Sequence, residues 1–223
     1  MAVVTGAGRG IGRAYAELLA ARGASLVVND LGGAMDGSGS DASPAAEVAS
    51  AVGGLADTHD ISQADGAGAL VESAVSAFGR LDILINNAGI VRWAGFPEVD
   101  EDNLARHLAV HTMGAFHTMR AAWPHMAQAG FGRIVNTTSS GVFGFAGNTS
   151  YATAKAAVIG LTRSAALAGT AVGIKVNLIA PAAATRMAGG RGSPAMTSDE
   201  VAPMVAYLAH EECPVTGEIY AAG

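Results

Sequence analysis

The stretch that most restricts this chain lies at its start, where an apolar run, Ala2–Thr5, leads straight into Thr5-Gly-Ala-Gly-Arg-Gly-Ile-Gly12 and then into a segment with helical apolar spacing. A strand that ends on closely spaced glycines and resumes as a helix must turn tightly. That turn aims the unpaired N–H groups of the first helical turn at whatever lies beyond the strand end. The same alternation continues down the chain. Short β-branched runs predict strands at Ala2–Thr5, Ser25–Asn29, Leu55–His59, Leu81–Asn86, Arg133–Thr137, Ile174–Ile179 and Glu218–Tyr220. Ala-rich segments predict helices near Gly10–Arg22, Pro44–Val52, Gln63–Phe78, Asp102–His107, Val110–Ala127, Ser150–Leu167 and Asp199–Leu208. Strands alternating with helices bury themselves as a parallel sheet wound by helices on both faces.

Composition fits that architecture: 223 residues, half of them hydrophobic and 14% charged, are enough for one compact domain with a sizeable core. The expectation is therefore α/β, a single Rossmann-type domain over residues 1–223 with a doubly wound seven-stranded parallel sheet. A net charge of −6, with thirteen cationic residues scattered along the chain, argues against a nucleic-acid or anionic-membrane surface and for a small-molecule substrate. No apolar run approaches the ~20 residues of a membrane span, and Met1 enters a strand without a charged leader, so a cytoplasmic protein is expected. Cys213 stands alone and is expected to pack. His59, His107, His117, His125 and His210 share no metal-ligand spacing, so surface or packing roles and no metal site are expected.

The glycine-rich turn predicts a pyrophosphate seat built from Gly6, Arg9, Gly10, Ile11 and Gly12. The next strand ends Val28-Asn29-Asp30-Leu31, which puts a carboxylate where an adenine-ribose diol would be held. A carboxylate there repels a 2′-phosphate and favours NAD; Arg9 would instead welcome that phosphate and favour NADP. Asp30 is preferred, because it would be desolvated directly against the phosphate, whereas Arg9 can swing into solvent. The low-complexity stretch Gly32–Asp41 is either a flexible solvated connection or a flap beside the adenosine.

Further along, Tyr151-Ala-Thr-Ala-Lys155 places a phenol and an ammonium on one face of a helix. A neighbouring cation favours an ionised phenol, which makes Tyr151 a candidate acid/base near neutral pH. Upstream, Asn136-Thr-Thr-Ser-Ser140 follows a strand and supplies hydroxyls able to hold a carbonyl oxygen beside that phenol.

These segments together, with Asn86-Asn87-Ala88-Gly89 after the fourth strand, resemble the short-chain dehydrogenase/reductase family over essentially the whole chain. The resemblance implies hydride transfer between a nicotinamide and a carbonyl or secondary alcohol, with Ser139, Tyr151, Lys155 and His111 in the catalytic set. It also implies nucleotide contacts from Asp60, Ile61, Asn87, Ala88, Gly89, Tyr151, Lys155, Pro181, Ala184 and Thr185, with Asn86 bracing the sheet. Val28–Gly33, Val110-His111, Arg120–Trp123, Ile179–Pro181 and Val201–Pro203 are similar to the family's (3R)-hydroxyacyl-CoA dehydrogenase branch, without themselves fixing a substrate. Where the family commonly has an Asn that helps hold a water beside the lysine, this chain has His111, at an expected local helix distortion. The family's serine usually stands thirteen residues before the tyrosine, at Thr138 here. Counting along the strand from Arg133 favours Ser139, with Thr138 and Ser140 as lesser candidates. Trp93, Phe96, Val142, Phe143, Phe145, Met187 and Met196 form either an apolar substrate pocket or core beneath loops, and Ala188–Pro194 has a lid's composition. A stripe of Ala152, Ala156, Ile159, Arg163 and Ala166 predicts helix pairing in a homo-oligomer, a dimer or tetramer. The reading is an NAD-preferring oxidoreductase on an alcohol/ketone pair; an NADP-dependent 3-oxoacyl reductase and a non-catalytic dinucleotide-binding module are the alternatives.

Overall fold

The computed structural model describes residues 1–188 and 196–223. Seven strands, β1 (Ala2–Thr5), β2 (Leu26–Asn29), β3 (Leu55–Asp57), β4 (Ile83–Asn86), β5 (Gly132–Thr137), β6 (Ile174–Pro181) and β7 (Ile219–Ala222), form one parallel sheet in the order β3-β2-β1-β4-β5-β6-β7. The chain leaves β1 toward one edge and returns beside it as β4, so the two halves of the sheet part between these strands. In such a sheet a ligand crevice opens there, outside the carboxyl ends of the strands.

Period-two alternation decides which side chains face which layer. Val4, Val28 and Ile85 pack with Tyr15 and Leu19 of α1 (Gly10–Ala21) and with Val201, Val205 and Leu208 of α7 (Ser198–Leu208). Their neighbours Val3, Val27 and Leu84 face the opposite layer. That layer is built from α3 (Ala64–Phe78), α5 (Gly114–Ala129) and α6 (Thr149–Gly169), which supply Leu70, Met126 and Ala166. Both faces being covered explains why β1 and β2 read as unbroken apolar runs. Cys213 is fully buried in the first core.

Several boundaries move for local reasons. β3 stops at Asp57 rather than His59, because the Asp57 carboxylate accepts from the His59 N–H at 3.0 Å and turns the chain out of the sheet. The two helices expected at 102–107 and 110–127 are one rod: α4 (Glu101–His107) runs through a π-helical segment, Leu108–Met113, into α5. A π-helical segment inside an α-helix is a local widening that redirects side chains and is frequent at functional sites. The small-residue stripe on α6 does not lie wholly in solvent. Ala166 belongs to the core and Ala152 and Ile159 are half-buried, while Ala156 and Arg163 are exposed. The buried line on this helix is Ala154, Lys155, Val158, Thr162, Ala166 and Gly169.

The Gly32–Asp41 stretch is folded rather than loose. Ala34 N–H donates to Ser38 O at 2.8 Å and Asp41 N–H to Leu31 O at 3.0 Å, closing the loop on itself. Val91 N–H then donates to Met35 O at 2.8 Å, fastening the loop to the chain leaving β4. Of the segment with a lid's composition, Gly189–Pro194 lies outside the described residues. Among the described residues, no helix is long and apolar enough to cross a membrane.

Candidate active site

A cavity of about 410 Å³ opens at the point where the sheet divides, within the size range of small-molecule and cofactor sites. Gly6, Arg9, Gly10, Ile11 and Gly12 line one wall, Asp30, Leu31, Asp60 and Ile61 a second, and Asn87, Ala88, Gly89, Ala184 and Thr185 the remainder. Of the residues expected around a nucleotide, only Tyr151, Lys155 and Pro181 lie off its surface. The turn fits an anion at the start of α1, since no acidic side chain occupies the first helical turn and Arg9 leaves the N-cap without a side-chain hydrogen bond. Its closeness rests on Gly12: a Cβ there would lie 2.2 Å from the Gly6 carbonyl oxygen.

Asp30 is fixed before any ligand arrives. Its Oδ2 accepts from Gly8 N–H at 2.8 Å and its Oδ1 from Gly32 N–H at 2.7 Å, so the carboxylate ties the glycine-rich turn to the folded loop. Arg9 reaches over the same loop, Nη1 donating to Gly33 O at 3.4 Å. Ala34, Met35 and Gly37 of the loop roof the cavity, the flap-like of its two expected forms. Arg106 Nη2 pins the loop from α4 through Gly37 O at 3.4 Å.

Beyond the cavity the catalytic candidates converge. Tyr151 and Lys155 stand one turn apart on α6, with the lysine Nζ 5.8 Å from the tyrosine ring centroid. The start of that helix is set by Asn148, whose Oδ1 accepts from Ala152 N–H at 3.1 Å while its Nδ2 donates to Gly141 O at 3.2 Å. One buried amide thus couples the tyrosine helix to the turn after β5. Ser139 begins that turn, its Oγ accepting from Gly141 N–H at 3.0 Å. Its hydroxyl lies beside the Tyr151 phenol and draws the phenol pKa down. Thr138 is buried with its Oγ1 donating to Lys155 O at 3.0 Å, so its hydroxyl is spent on holding α6.

Electrostatics departs from the simple expectation of a lysine lowering a tyrosine. Burial is the largest influence on both groups: it raises the Tyr151 phenol above its ordinary value despite Ser139, and pushes the Lys155 ammonium down to about 7. Burial therefore favours the neutral form of both groups, keeping the phenol protonated and bringing the titration of the ammonium to near neutral pH. Lys155 Nζ donates to Thr137 O at 2.9 Å and lines a second cavity of about 10 Å³, room for a single water. His111 and Thr137 line this cavity too, and His111 Nδ1 and Thr137 Oγ1 are buried without a protein partner.

His111 sits on the π-helical segment, the expected distortion, with Nε2 2.9 Å from Ile90 O and its ring edge-on to Tyr151 at 5.4 Å. Burial first, then the Lys155 charge, holds its pKa well below the usual histidine range, so it is a neutral ring in this wall. Gly89 makes way for it: a Cβ there would meet His111 Cε1 at 2.5 Å. His107, expected to be an ordinary packing or surface residue, is part of the same wall. It stacks on His111 at 5.8 Å, presents its edge to Tyr151, and holds Asn103 O and Arg92 N through its two ring nitrogens. His59 likewise lines the large cavity, braced by Asp57 at 2.8 Å.

The short chain dehydrogenase profile matches residues 1–193. The chain belongs to the short-chain dehydrogenase family. It is 43% identical over 231 residues to a short-chain type dehydrogenase/reductase of Mycobacterium tuberculosis, covering 99% of this chain and 81% of that protein. Against peroxisomal multifunctional enzyme type 2 of Drosophila melanogaster the identity is 42% over 226 residues, 97% of this chain but 38% of that one. A crystal structure of a short chain dehydrogenase from Mycobacterium avium aligns with a TM-score of 0.85 at 40% identity, covering 100% of this chain and 82% of that chain. The chain thus spans most of its mycobacterial relatives and well under half of the fly enzyme. Within the family frame, the residues that sequence reasoning missed are Asn148, His107 and Arg106. Asn148 alone carried a readable signal, as an N-cap residue immediately before a helix; the others act through contacts distant in sequence.

Proposed function

We propose that residues 1–223 act as one catalytic unit, an NAD-preferring dehydrogenase that moves a hydride between the nicotinamide and a secondary alcohol/ketone pair. The observation that carries this reading is the convergence of Ser139, Tyr151 and Lys155 beside a cavity whose walls fit a dinucleotide. NAD when bound supplies a hydride acceptor at the nicotinamide and, in its oxidised form, a positive charge beside the phenol. Tyr151 exchanges the proton of the substrate oxygen, and Ser139 hydrogen-bonds that oxygen and holds it against the phenol. Lys155 keeps donors beyond the one given to Thr137 O for the nucleotide ribose, and when protonated it stands 5.8 Å from the tyrosine ring, where a cation favours the phenolate. His111, neutral and edge-on to the tyrosine, positions the ring rather than relaying a charge. Fixed donors meeting charge as it develops on oxygen are the main source of rate in such a site.

Asp30 favours NAD, because its pinned carboxylate would face a 2′-phosphate across the adenosine ribose. Arg9, already drawn to Gly33 O, supports the NADP-dependent reductase as the second reading. Likeness to the peroxisomal enzymes favours a 3-hydroxyacyl thioester as substrate, and exposed Phe116 and Leu167 on α5 and α6 favour a homo-oligomer formed through those helices. The test is a panel of 3-hydroxyacyl-CoA, steroid and small secondary alcohols with NAD and with NADP, read as reduced-nicotinamide absorbance. Turnover with NAD supports the proposal; turnover only with NADP supports the second reading; none with either sinks both.

A further inference from the structure

Four large aromatic side chains at the rim of the site remain in water: Trp93 is 47% exposed, Phe145 51%, Phe96 83% and Phe143 90%. None is core beneath a loop, and Trp93 and Phe145 stand 5.7 Å apart, ring to ring. Trp93 and Phe96 follow β4, and Phe143 and Phe145 follow β5. The two loops are joined, Thr149 N–H donating to Ala94 O at 3.2 Å beside an isolated bridge between Ala94 and Asn148. The rim is therefore one wall with two contributors. Its inner end is the proposed acid/base: the Trp93 ring centroid lies 6.2 Å from that of Tyr151 and 5.7 Å from that of Phe145, tilted 46° and 44°. Three rings thus form a stepped apolar surface running outward from the phenol. Arg92, the cation next in sequence to Trp93, is held by Asp102 at 2.8 Å, so the row is not charged for an anionic group. A contiguous exposed apolar patch marks an interaction site.

We propose that this row seats a long apolar arm of the substrate, an alkyl or aryl chain on the carbinol carbon, and so selects fatty over small secondary alcohols. This rests on the dehydrogenase reading above, and its occupant is argued from continuity with Tyr151, whose ring is the inner end of the row. Each methylene that reaches the row should raise kcat/KM by about fourfold, the equilibrium equivalent of burying one CH₂ group, until the chain outruns Phe145.

The test uses straight-chain 2-alkanols from 2-butanol to 2-decanol with NAD, in the wild type and in Trp93→Ala, Phe145→Ala and Phe143→Ala. The expected result is a steep rise with length in the wild type and losses in the first two variants that grow with length, expressed in KM more than kcat. An equal loss at every length, or an unchanged slope, overturns the proposal. An unchanged slope with a shift of mass in light scattering assigns the row to a second copy of the chain, which also overturns it. Quenching of tryptophan fluorescence by 2-alkanones of increasing length, compared between wild type and Trp93→Ala, separates the two readings. Length-graded binding at Trp93 without turnover removes the dehydrogenase reading and keeps the apolar seat; turnover without length grading does the reverse.

Discussion

The two ends of the candidate site are built by opposite means. At the nucleotide end the chain presents backbone: N–H groups at the start of α1, a carboxylate whose two oxygens each accept from a glycine N–H, and a loop folded back over the cavity and fastened at Val91. At the substrate end it presents side chains: exposed Trp93, Phe96, Phe143 and Phe145 on two linked loops. The first end is set before its ligand arrives, whereas the second leaves apolar surface for its ligand to cover. Between them stand Tyr151 and Lys155, groups whose neutral forms burial favours. The difference teaches that recognition of the invariant part of a two-substrate reaction is written into main-chain geometry, and recognition of the variable part into replaceable side chains.

The largest effect that would sharpen this contrast concerns Lys155. Its folded pKa of about 7 lies below the ordinary 10.5, so the unfolded chain binds more protons between those values. Stability is therefore greatest above pH 10.5 and is lost as pH falls toward 7, by on the order of 5 kcal/mol for this group. Denaturant unfolding of wild type and Lys155→Met should show the variant gaining on the wild type at pH 7 and losing that gain near pH 10. A difference independent of pH would show that Lys155 is not desolvated as the structure has it.

Next comes Asp30→Ala, which should move the ratio of NAD to NADP efficiency about a hundredfold toward NADP, ~2.7 kcal/mol, while leaving the alkanol length dependence intact. A ratio that stays put in steady-state kinetics would break the assignment of the carboxylate to the ribose. Asn148→Ala removes a buried helix cap and the tie to Gly141. A loss of about 1 kcal/mol is expected, or a melting point roughly 2–4 °C lower, with kcat reduced and nucleotide affinity retained; unchanged kcat would separate the cap from the chemistry. Smallest is Arg106→Ala, which loosens the loop at Gly37 through one long, exposed hydrogen bond. Stopped-flow release of NADH should quicken about two- to threefold, and slower release would contradict the loop's part in retaining the nucleotide.

The same contrast governs what could be read from the chain. The seven parallel strands, the helices between them and the cavity walls at Thr5–Gly12 and Asp30 were legible in apolar runs, glycines and one carboxylate, because those features act over a few residues; the order of the strands was not. Counting along β5 from Arg133 picks Ser139, on the ground that an omitted residue is absorbed in a loop and not in a ladder, and Ser139 lies beside Tyr151. His107 was not recoverable: its role depends on stacking with His111 and on holding Arg92 N from a helix fifteen residues further on. The distortion at His111 was expected, but the continuity of α4 and α5 through it was not. The α6 stripe left the inward face of its helix open for a related reason. Small residues at helical spacing do not say which face the helix turns inward, and Ala166 went to the core.

Tyr151→Phe tests the central claim most directly, because it leaves the ring between His111 and Trp93 and removes only the proton-carrying oxygen. NADH titration followed by fluorescence and NAD-dependent alcohol oxidation followed by absorbance should be measured on the same preparation. The account predicts NADH affinity within a few fold of wild type and turnover reduced by at least about a thousandfold. Turnover near the wild-type rate with intact NADH binding would contradict it, and would leave the chain a short-chain dehydrogenase fold that binds dinucleotide without using this tyrosine.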